Sequence, residues 1–176
     1  MVCTGNIIRS AMGEAMLRAH LRGRPVDATV RSAGTLAWDG AAHHAAVAVL
    51  RERGVDLSSH ASQPLTAALV VDADLVLAMA RTHLWGVLAH DPEAEARTFL
   101  LPEVVRLGRA VGARPADQPV RRWAARLAAA RPNGRLGGRP EDEIADPLGE
   151  PFGVFRATAA RLDELTTRIA ELLAPL

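Results

Sequence analysis

Short apolar runs alternate with longer stretches of helical periodicity, and this alternation limits the fold more than any other feature of the chain. Three runs predict buried strands: VDATVRSAG from Val26, ADLVLAMA from Ala73 and RTFLL from Arg97. Apolar residues at three- and four-residue steps predict helices over 11–21, 41–53, 81–90, from 103 onward, 120–130 and 152–173. Because strands and helices alternate, the sequence favours an α/β domain with a parallel sheet.

The length of 176 residues suits one domain, spanning 1–176, with a full hydrophobic core. The glycine- and proline-rich stretch 130–142 is predicted to be a mobile loop and not a linker, because too little chain follows it to fold alone. A net charge of +1 gives no basic surface for nucleic acid. No apolar run approaches membrane-span length. The one cysteine excludes an intramolecular disulfide and fits the reducing cytoplasm.

That cysteine lies in the stretch VCTGNIIRS, where it precedes the loop formers Gly5 and Asn6. A polar turn that feeds a helix can hold an anion on its backbone N–H groups, and the helix dipole favours the negative charge. Arg9 adds a planar fork for two phosphate oxygens. The same positive field favours a thiolate at Cys3, which would then be a nucleophile aimed at phosphorus. The alternative role for Cys3 is that of a small buried hydrophobe.

The stretch V-C-T-G-N-I-I-R-S-A-M-G-E resembles the signature loop of the low-molecular-weight protein tyrosine phosphatases. Further segments resemble the same family in the same order along the chain: RSAGT at 31–35, SSHAS at 58–62, ADLVLAMAR from 73 and DEIADPLGEPFGVF from 142. The resemblance implies a three-layer α/β sandwich in which helices flank a four-stranded parallel sheet.

The resemblance also implies the reaction and its residues. Cys3 would attack phosphorus and hold a phosphocysteine intermediate, and Arg9 would bind the phosphoryl oxygens and stabilise the transition state. Asp146 would protonate the leaving phenolate oxygen and then deprotonate the hydrolytic water. Ser10 would hydrogen-bond the thiolate. No metal or other cofactor is implied.

Other residues take supporting places in this resemblance. The remaining phosphate-loop residues are Thr4, Gly5, Asn6, Ile7 and Ile8. Ser32 and His60 would join Asn6 in a hydrogen-bonded network that holds the loop in shape. Trp38 and Phe152 are candidates for the rim of the substrate cleft, where an aromatic side chain can stack on a substrate ring.

Two loop positions bear on substrate and redox behaviour. Relatives that remove phosphate from arginine carry a smaller, polar residue where this chain has Ile7, so a bulky apolar Ile7 favours a flat aromatic ester. Ile8 stands where the family usually has a second cysteine, which can form a reversible protective disulfide with the nucleophile. That rescue is impossible in this chain.

The leading hypothesis is a phosphatase acting on phosphotyrosine in proteins, with a phosphorylated protein as its partner. One alternative is an arsenate reductase that uses an external small thiol, because a cascade of several cysteines within the chain is excluded. The other is a non-catalytic oxyanion-binding module. The oligomeric state does not follow from the sequence.

Only Met1 and Val2 precede Cys3, whereas the family's loop follows a strand of several apolar residues at the centre of the sheet. The first strand is therefore expected to be truncated. We expect the natural protein to begin upstream with a short run rich in Val, Leu, Ile or Phe.

Overall fold

Four short parallel strands form the central sheet of the computed structural model, which describes residues 1–36, 38–134 and 136–174. In chain order the strands are β1 (Val2–Cys3), β2 (Ala33–Gly34), β3 (Val76–Ala78) and β4 (Thr98–Leu100), and in space they follow the order β2–β1–β3–β4. The α-helices of the described residues are α1 (Arg9–Leu21), α2 (His44–Arg51), α3 (Ala67–Asp72), α4 (Arg81–His90), α5 (Leu101–Val111), α6 (Val120–Ala129) and α7 (Phe152–Leu173).

Successive side chains of β3 enter different cores, which shows that helices cover both faces of the sheet. Leu77 belongs to the main core, which includes buried residues of α1, α2, α5, α6 and α7. Val76 belongs to a second core with Val70 of α3 and Val87 of α4. The expected sandwich of a four-stranded parallel sheet flanked by helices is therefore confirmed.

The tail helix agrees with its sequence pattern over its whole length. Phe155, Leu162 and Ile169 are buried along one face of α7, and α7 packs against α1. On α5, a Cβ added at Gly108 would lie 2.5 Å from the Leu172 side chain, so α5 and α7 approach closely because this residue is glycine. Across the described residues, no helix has the length and apolar character to cross a membrane.

The predicted strand from Val26 is wrong in its extent, because only Ala33 and Gly34 are paired as β2. A strand persists only where a neighbour bonds to it, and the neighbour of β2 is the two-residue strand β1. The two paired residues of β1 thus limit the paired length of β2. Short helix α3 was not predicted, because six residues carry little periodicity.

The glycine- and proline-rich stretch is anchored at both ends. Arg131 pairs with Glu103 at 3.0 Å, with both side chains buried, and Asp142 pairs with Arg106 at 2.7 Å. Leu136 is buried against the sheet side of α4. Position 135 lies outside the described residues, and the mobility of the stretch stays a prediction.

A cavity of about 470 Å³ lies beside Met1, lined on one side by residues 26–33 and on the other by residues 72–77. The Met1 ammonium donates a hydrogen bond to the carbonyl oxygen of Arg31 at 2.6 Å. Burial lowers the pKa of this ammonium from 8.0 to about 5, against an opposing effect of Cys3. The cavity therefore lies next to the first residue of β1, between the segments that precede β2 and β3. The titratable amine of Met1 is beside it.

Four apolar residues added ahead of Met1 are expected to raise the free energy of unfolding at pH 7 by about 3 kcal/mol or more, because they add strand hydrogen bonds and bury side chains in the cavity. They also remove the amine from the sheet. Between pH 5 and 8 the unfolded chain binds the amine proton and the folded chain does not, so this group makes the unextended protein more stable as pH rises through that window. Chemical denaturation at several pH values measures both effects.

The control is an extension of equal length made of glycine and serine, which moves the amine but adds no apolar side chain. Equal stabilities of the two extended proteins would show that the cavity does not take a strand.

Candidate active site

The loop that joins β1 to α1 lies at the carboxyl edge of the sheet, where ligands bind in α/β domains. Cys3 ends β1 and is 3% exposed. Arg9 and Ser10 begin α1 and are also buried. Strand β2 passes close to the loop, since a Cβ added at Gly34 would lie 2.6 Å from the carbonyl oxygen of Thr4. A glycine at this position lets the loop and the sheet make direct contact.

Every carbonyl oxygen from Cys3 to Ile8 accepts a hydrogen bond from the surrounding scaffold. The donors are Thr35 N–H to Cys3 (2.9 Å), Leu36 N–H to Thr4 (3.0 Å), Ser62 Oγ–H to Gly5 (2.9 Å), His60 Nε2–H to Asn6 (2.7 Å), His43 N–H to Ile7 (2.9 Å) and Met12 N–H to Ile8 (2.8 Å). A peptide whose carbonyl points outward turns its N–H the other way. The loop therefore presents amide N–H groups on its inner side.

Those inner N–H groups are available to a ligand. The amides of Thr4, Gly5, Ile7 and Ile8 make no hydrogen bond to any residue that the structure describes. Consecutive N–H groups curled before a helix N-terminus form an anion-binding concavity. The loop geometry is thus that of an oxyanion cradle with a thiol beside it.

Asn6 stabilises the curved conformation of the loop through its backbone and its buried side chain. Its φ of 54° lies in the left-handed region, which asparagine tolerates better than most residues. Its buried side chain donates to Ser10 Oγ at 2.9 Å and to Ser32 Oγ at 2.7 Å, and accepts from Gln63 N–H at 3.0 Å. With His60 on its carbonyl, the structure brings together the three residues expected to support the loop.

The sulfur of Cys3 has two hydrogen-bonding neighbours. Its Sγ lies 2.9 Å from Ser10 Oγ and 3.3 Å from the Asn6 N–H. Ser10 Oγ already accepts from the Asn6 amide, so its hydroxyl proton is available to the sulfur. These two neighbours can both donate to the sulfur, which accepts hydrogen bonds.

Arg9 connects the cradle to the segment that precedes α7. Its Nη1 donates to the Ile144 carbonyl oxygen at 3.1 Å, and its Nη2 forms an ion pair with Asp146 Oδ2. The Ile144 N–H donates in turn to the Met79 carbonyl oxygen at 2.7 Å, directly after β3. The Asp146 side chain is 43% exposed and accepts from Leu148 N–H. Cys3, Arg9 and Asp146 thus converge on one edge of the sheet.

The two aromatic residues predicted at the rim differ in their surroundings. The Ser62 hydroxyl bridges the carbonyl oxygens of Gly5 and Trp38, which places the backbone of Trp38 next to the loop. The Trp38 side chain is 53% exposed. Phe152 is half-buried against the main core, and the Arg156 guanidinium covers its ring at 4.8 Å. Trp38 is therefore the better placed to meet a substrate ring.

Sequence reasoning missed four residues that contact this site: Glu14, Ser62, Gln63 and His83. Ser62 is the last residue of the matching SSHAS segment and Gln63 directly follows it, so the match itself was the available signal for Ser62 and a match longer by one residue was the signal for Gln63. Glu14 accepts from Ser32 Oγ and follows Ser10 by one helical turn. His83 reaches Thr4 Oγ1 at 3.0 Å from 79 residues away along the chain, and no local pattern indicates this contact.

Comparison with known proteins gives matches along the whole chain. A family profile described as low molecular weight phosphotyrosine protein phosphatase matches residues 1–110. The probable low molecular weight protein-tyrosine-phosphatase EpsP of Ralstonia solanacearum is 40% identical over 105 residues, which cover 59% of this chain and 70% of that protein.

Two further matches extend nearly to both ends. The protein-arginine-phosphatase of Bacillus subtilis (strain 168) is 30% identical over 173 residues, covering 98% of this chain and 93% of that protein. A solved structure of a YwlE arginine phosphatase, a Cys-to-Ser variant whose active site serine is phosphorylated, superposes with a TM-score of 0.70 at 30% identity. It covers 97% of this chain and 91% of that one.

Proposed function

The chain belongs to the low molecular weight phosphotyrosine protein phosphatase family, and from this membership we propose that it hydrolyses phosphotyrosine in proteins through a phosphocysteine at Cys3. It is a phosphatase, and therefore a hydrolase. One observation carries the proposal for its site. The carbonyls of residues 3–8 are all bonded outward, which leaves a set of loop N–H groups on the inner side, where the Asn6 N–H meets Cys3 Sγ.

In the first step the Cys3 thiolate attacks phosphorus, and the bond from phosphorus to the aryl oxygen breaks. Asp146 gives its proton to the departing oxygen, while Arg9 and the loop amides hold the phosphoryl oxygens. In the second step Asp146 takes a proton from water, the water oxygen attacks phosphorus, and Cys3 leaves as a thiolate. Ser10 and the Asn6 N–H stabilise that thiolate through the contacts at 2.9 and 3.3 Å.

The phosphorylated active site serine of the YwlE variant supports a covalent intermediate. In that protein a hydroxyl introduced in place of a cysteine keeps the phosphoryl group. Serine is a poorer leaving group than cysteine, so an intermediate that normally turns over can accumulate on it. By analogy, Cys3 is the side chain of this chain that carries the phosphoryl group.

The ion pair between Arg9 and Asp146 has a place in this cycle. A bound phosphoryl group competes with the Asp146 carboxylate for the Arg9 guanidinium. Substrate binding therefore frees the Asp146 carboxyl to meet the leaving oxygen. Because the Asp146 side chain is 43% exposed, the carboxylate released from Arg9 can take from solvent the proton that it gives to the leaving oxygen.

Phosphotyrosine is the proposed substrate because the loop carries the bulky apolar Ile7, which favours a flat aromatic ester over a polar group. Phosphoarginine is the second candidate. It is favoured by the match to a protein-arginine-phosphatase over 98% of this chain. We place the enzyme in the cytoplasm, where its thiol is kept reduced.

Hydrolysis of a phosphotyrosine peptide and of a phosphoarginine peptide of matched sequence tests the choice of substrate. We expect a higher kcat/KM for the phosphotyrosine peptide. Replacing Ile7 with threonine is expected to lower the ratio of kcat/KM for the phosphotyrosine peptide to kcat/KM for the phosphoarginine peptide, because a bulky apolar side chain becomes smaller and polar. Val71→Thr, the same kind of change at an exposed position of α3, is the control.

A ratio that favours phosphoarginine in the unmodified protein would reverse the assignment between the two candidates. Turnover of arsenate with a small thiol, in place of ester hydrolysis, would support the reductase alternative. Phosphate binding without any turnover would indicate an oxyanion-binding module.

Oxidation by peroxide is expected to inactivate the enzyme irreversibly. The chain has one cysteine, and the buried Ile8 stands where relatives usually carry a second one. Peroxide converts the Cys3 thiolate to a sulfenic acid with release of hydroxide, and a second equivalent, with release of water, oxidises that to the sulfinic acid, which reductants do not restore. Activity after timed peroxide exposure, followed by dithiothreitol, measures the recoverable fraction.

The comparison variant is Ile8→Cys, which supplies a second thiol in the same loop. After the same peroxide exposure, dithiothreitol is expected to restore a larger fraction of its activity. Full recovery of the unmodified protein after prolonged peroxide, in the absence of small thiols, would contradict the prediction.

A further inference from the structure

His83 is a buried imidazole next to the cradle that the proposed reaction does not use. It is 3% exposed and lies in the first turn of α4. Its Nδ1 lies 3.0 Å from the backbone nitrogen of Ala80, and its Nε2 lies 3.0 Å from Thr4 Oγ1. Both ring nitrogens are therefore engaged, one by the scaffold and one by a side chain of the phosphate loop.

These two contacts fix the tautomer. A backbone N–H can only donate, so Nδ1 must accept the proton of Ala80 and carries none of its own. In the neutral ring the proton is then on Nε2, which donates to Thr4 Oγ1. Burial, and then the positive charge of Arg9, lower the pKa of His83 from 6.5 to about 4, against opposing effects of Asp146 and Glu143. The ring is thus neutral at pH 7.

The tautomer determines what the Thr4 hydroxyl can do. Since Oγ1 accepts from His83, its own proton must point elsewhere, and Thr4 Oγ1 makes no second hydrogen bond within the described residues. Thr4 is half-buried and directly follows the nucleophile in the chain. Its carbonyl oxygen is held by Leu36, so the backbone that carries the hydroxyl is also fixed.

We propose that His83 is a positioning residue that orients the Thr4 hydroxyl as a donor to the phosphoryl group held in the cradle. This inference rests on the proposed function, because it requires an anion in the loop. It adds a side-chain O–H to the backbone N–H groups and to Arg9. Arg9 contacts Ile144 and Asp146, whereas Thr4 contacts the N-terminus of α4, so the hydroxyl would come from a different wall of the cradle.

The test is a double-mutant cycle read out by competitive inhibition with inorganic phosphate. Thr4→Val, which keeps the shape and removes the hydroxyl, is expected to raise the inhibition constant roughly 10- to 100-fold, the scale of a hydrogen bond to a charged group. His83→Met removes the ring donor and is expected to have a smaller effect in the same direction. In the Thr4→Val variant, adding His83→Met should raise the inhibition constant for phosphate by less than twofold.

Two conservative variants separate positioning from mere support of the fold. His83→Gln can keep an N–H near the place of Nε2 and is expected to recover most of the phosphate affinity that His83→Met loses. Thr4→Ser keeps the hydroxyl and should bind phosphate close to the unmodified protein. Thermal unfolding of each variant identifies any protein that has lost its structure.

The outcomes distinguish this inference from the function on which it rests. If the unmodified protein neither binds phosphate nor hydrolyses an ester, the proposed function fails. If it does both, but Thr4→Val leaves the inhibition constant unchanged or the two substitutions add independently, the role of His83 is overturned and the phosphatase mechanism stands.

Discussion

Replacing Cys3 with serine is expected to reduce turnover of an aryl phosphate by roughly 10⁴-fold or more, the scale of losing a catalytic nucleophile. The hydroxyl is a weaker nucleophile and a poorer leaving group than the thiolate that two donors stabilise in this loop. Phosphate binding should persist, since the loop amides and Arg9 remain. Steady-state rates measure the first effect, and competition or calorimetry with inorganic phosphate measures the second.

The sequence has one cysteine, so the substitution leaves no other thiol to substitute for it. Intact-mass analysis after incubation with substrate adds a second readout, because a phosphoryl group retained by the serine variant would mark the atom attacked. Cys3→Ala is the control variant. Its side chain has no oxygen to attack phosphorus, so it should not become phosphorylated. Turnover near the unmodified rate in either variant would show that another residue performs the attack.

Replacing Asp146 with asparagine is expected to slow hydrolysis of esters with poor leaving groups by about 10²- to 10⁴-fold, the usual contribution of a general acid. Asparagine keeps a side-chain oxygen for the Leu148 N–H, so the turn should be preserved. Leaving groups that depart without a proton should show a much smaller loss. Rates on a series of aryl phosphates that differ in the acidity of the phenol measure this difference.

Glu143→Gln is the control, because Glu143 lies on the same segment but pairs with Arg81 on the surface at 2.9 Å. Its hydrolysis rates are expected to equal those of the protein without substitutions for every aryl phosphate in the series. An equal loss for all leaving groups in Asp146→Asn would assign Asp146 a structural role through its pair with Arg9, and not proton transfer.

Local sequence patterns predicted the features whose causes are local. The bounds of α4 and α7 agree with their apolar periodicity, and β3 and β4 lie within the predicted apolar runs. The resemblance of the signature loop and four further segments predicted Cys3, Arg9 and Asp146 as site residues, and the structure brings them to one edge of the sheet. Their catalytic roles stay predictions.

The features that depend on distant partners could not be derived in this way. The length of β2 is limited by the two residues of β1 that pair with it, so the apolar pattern of VDATVRSAG alone did not predict it. The contact of His83 with Thr4 depends on how α4 is placed beside the loop. A lone histidine in a helix carries no signal of such a contact. Pairings of this kind follow from tertiary packing and not from spacing.

The outward hydrogen bonds of residues 3–8 have a consequence for how the protein would lose activity. Two of the anchors, His60 and Ser62, belong to the segment 58–64, which forms no helix or strand and takes part in two isolated bridges, Ala41–Ala61 and Gly34–Pro64. Segments with little regular structure open at a lower free energy than the core helices do. Local unfolding of residues 58–64 would break the hydrogen bonds to the Gly5 and Asn6 carbonyls. The phosphate loop could then lose its conformation while α1 and α7 stay folded. Catalytic rate in mild denaturant would therefore report on this subglobal opening and decline before the helical signal does.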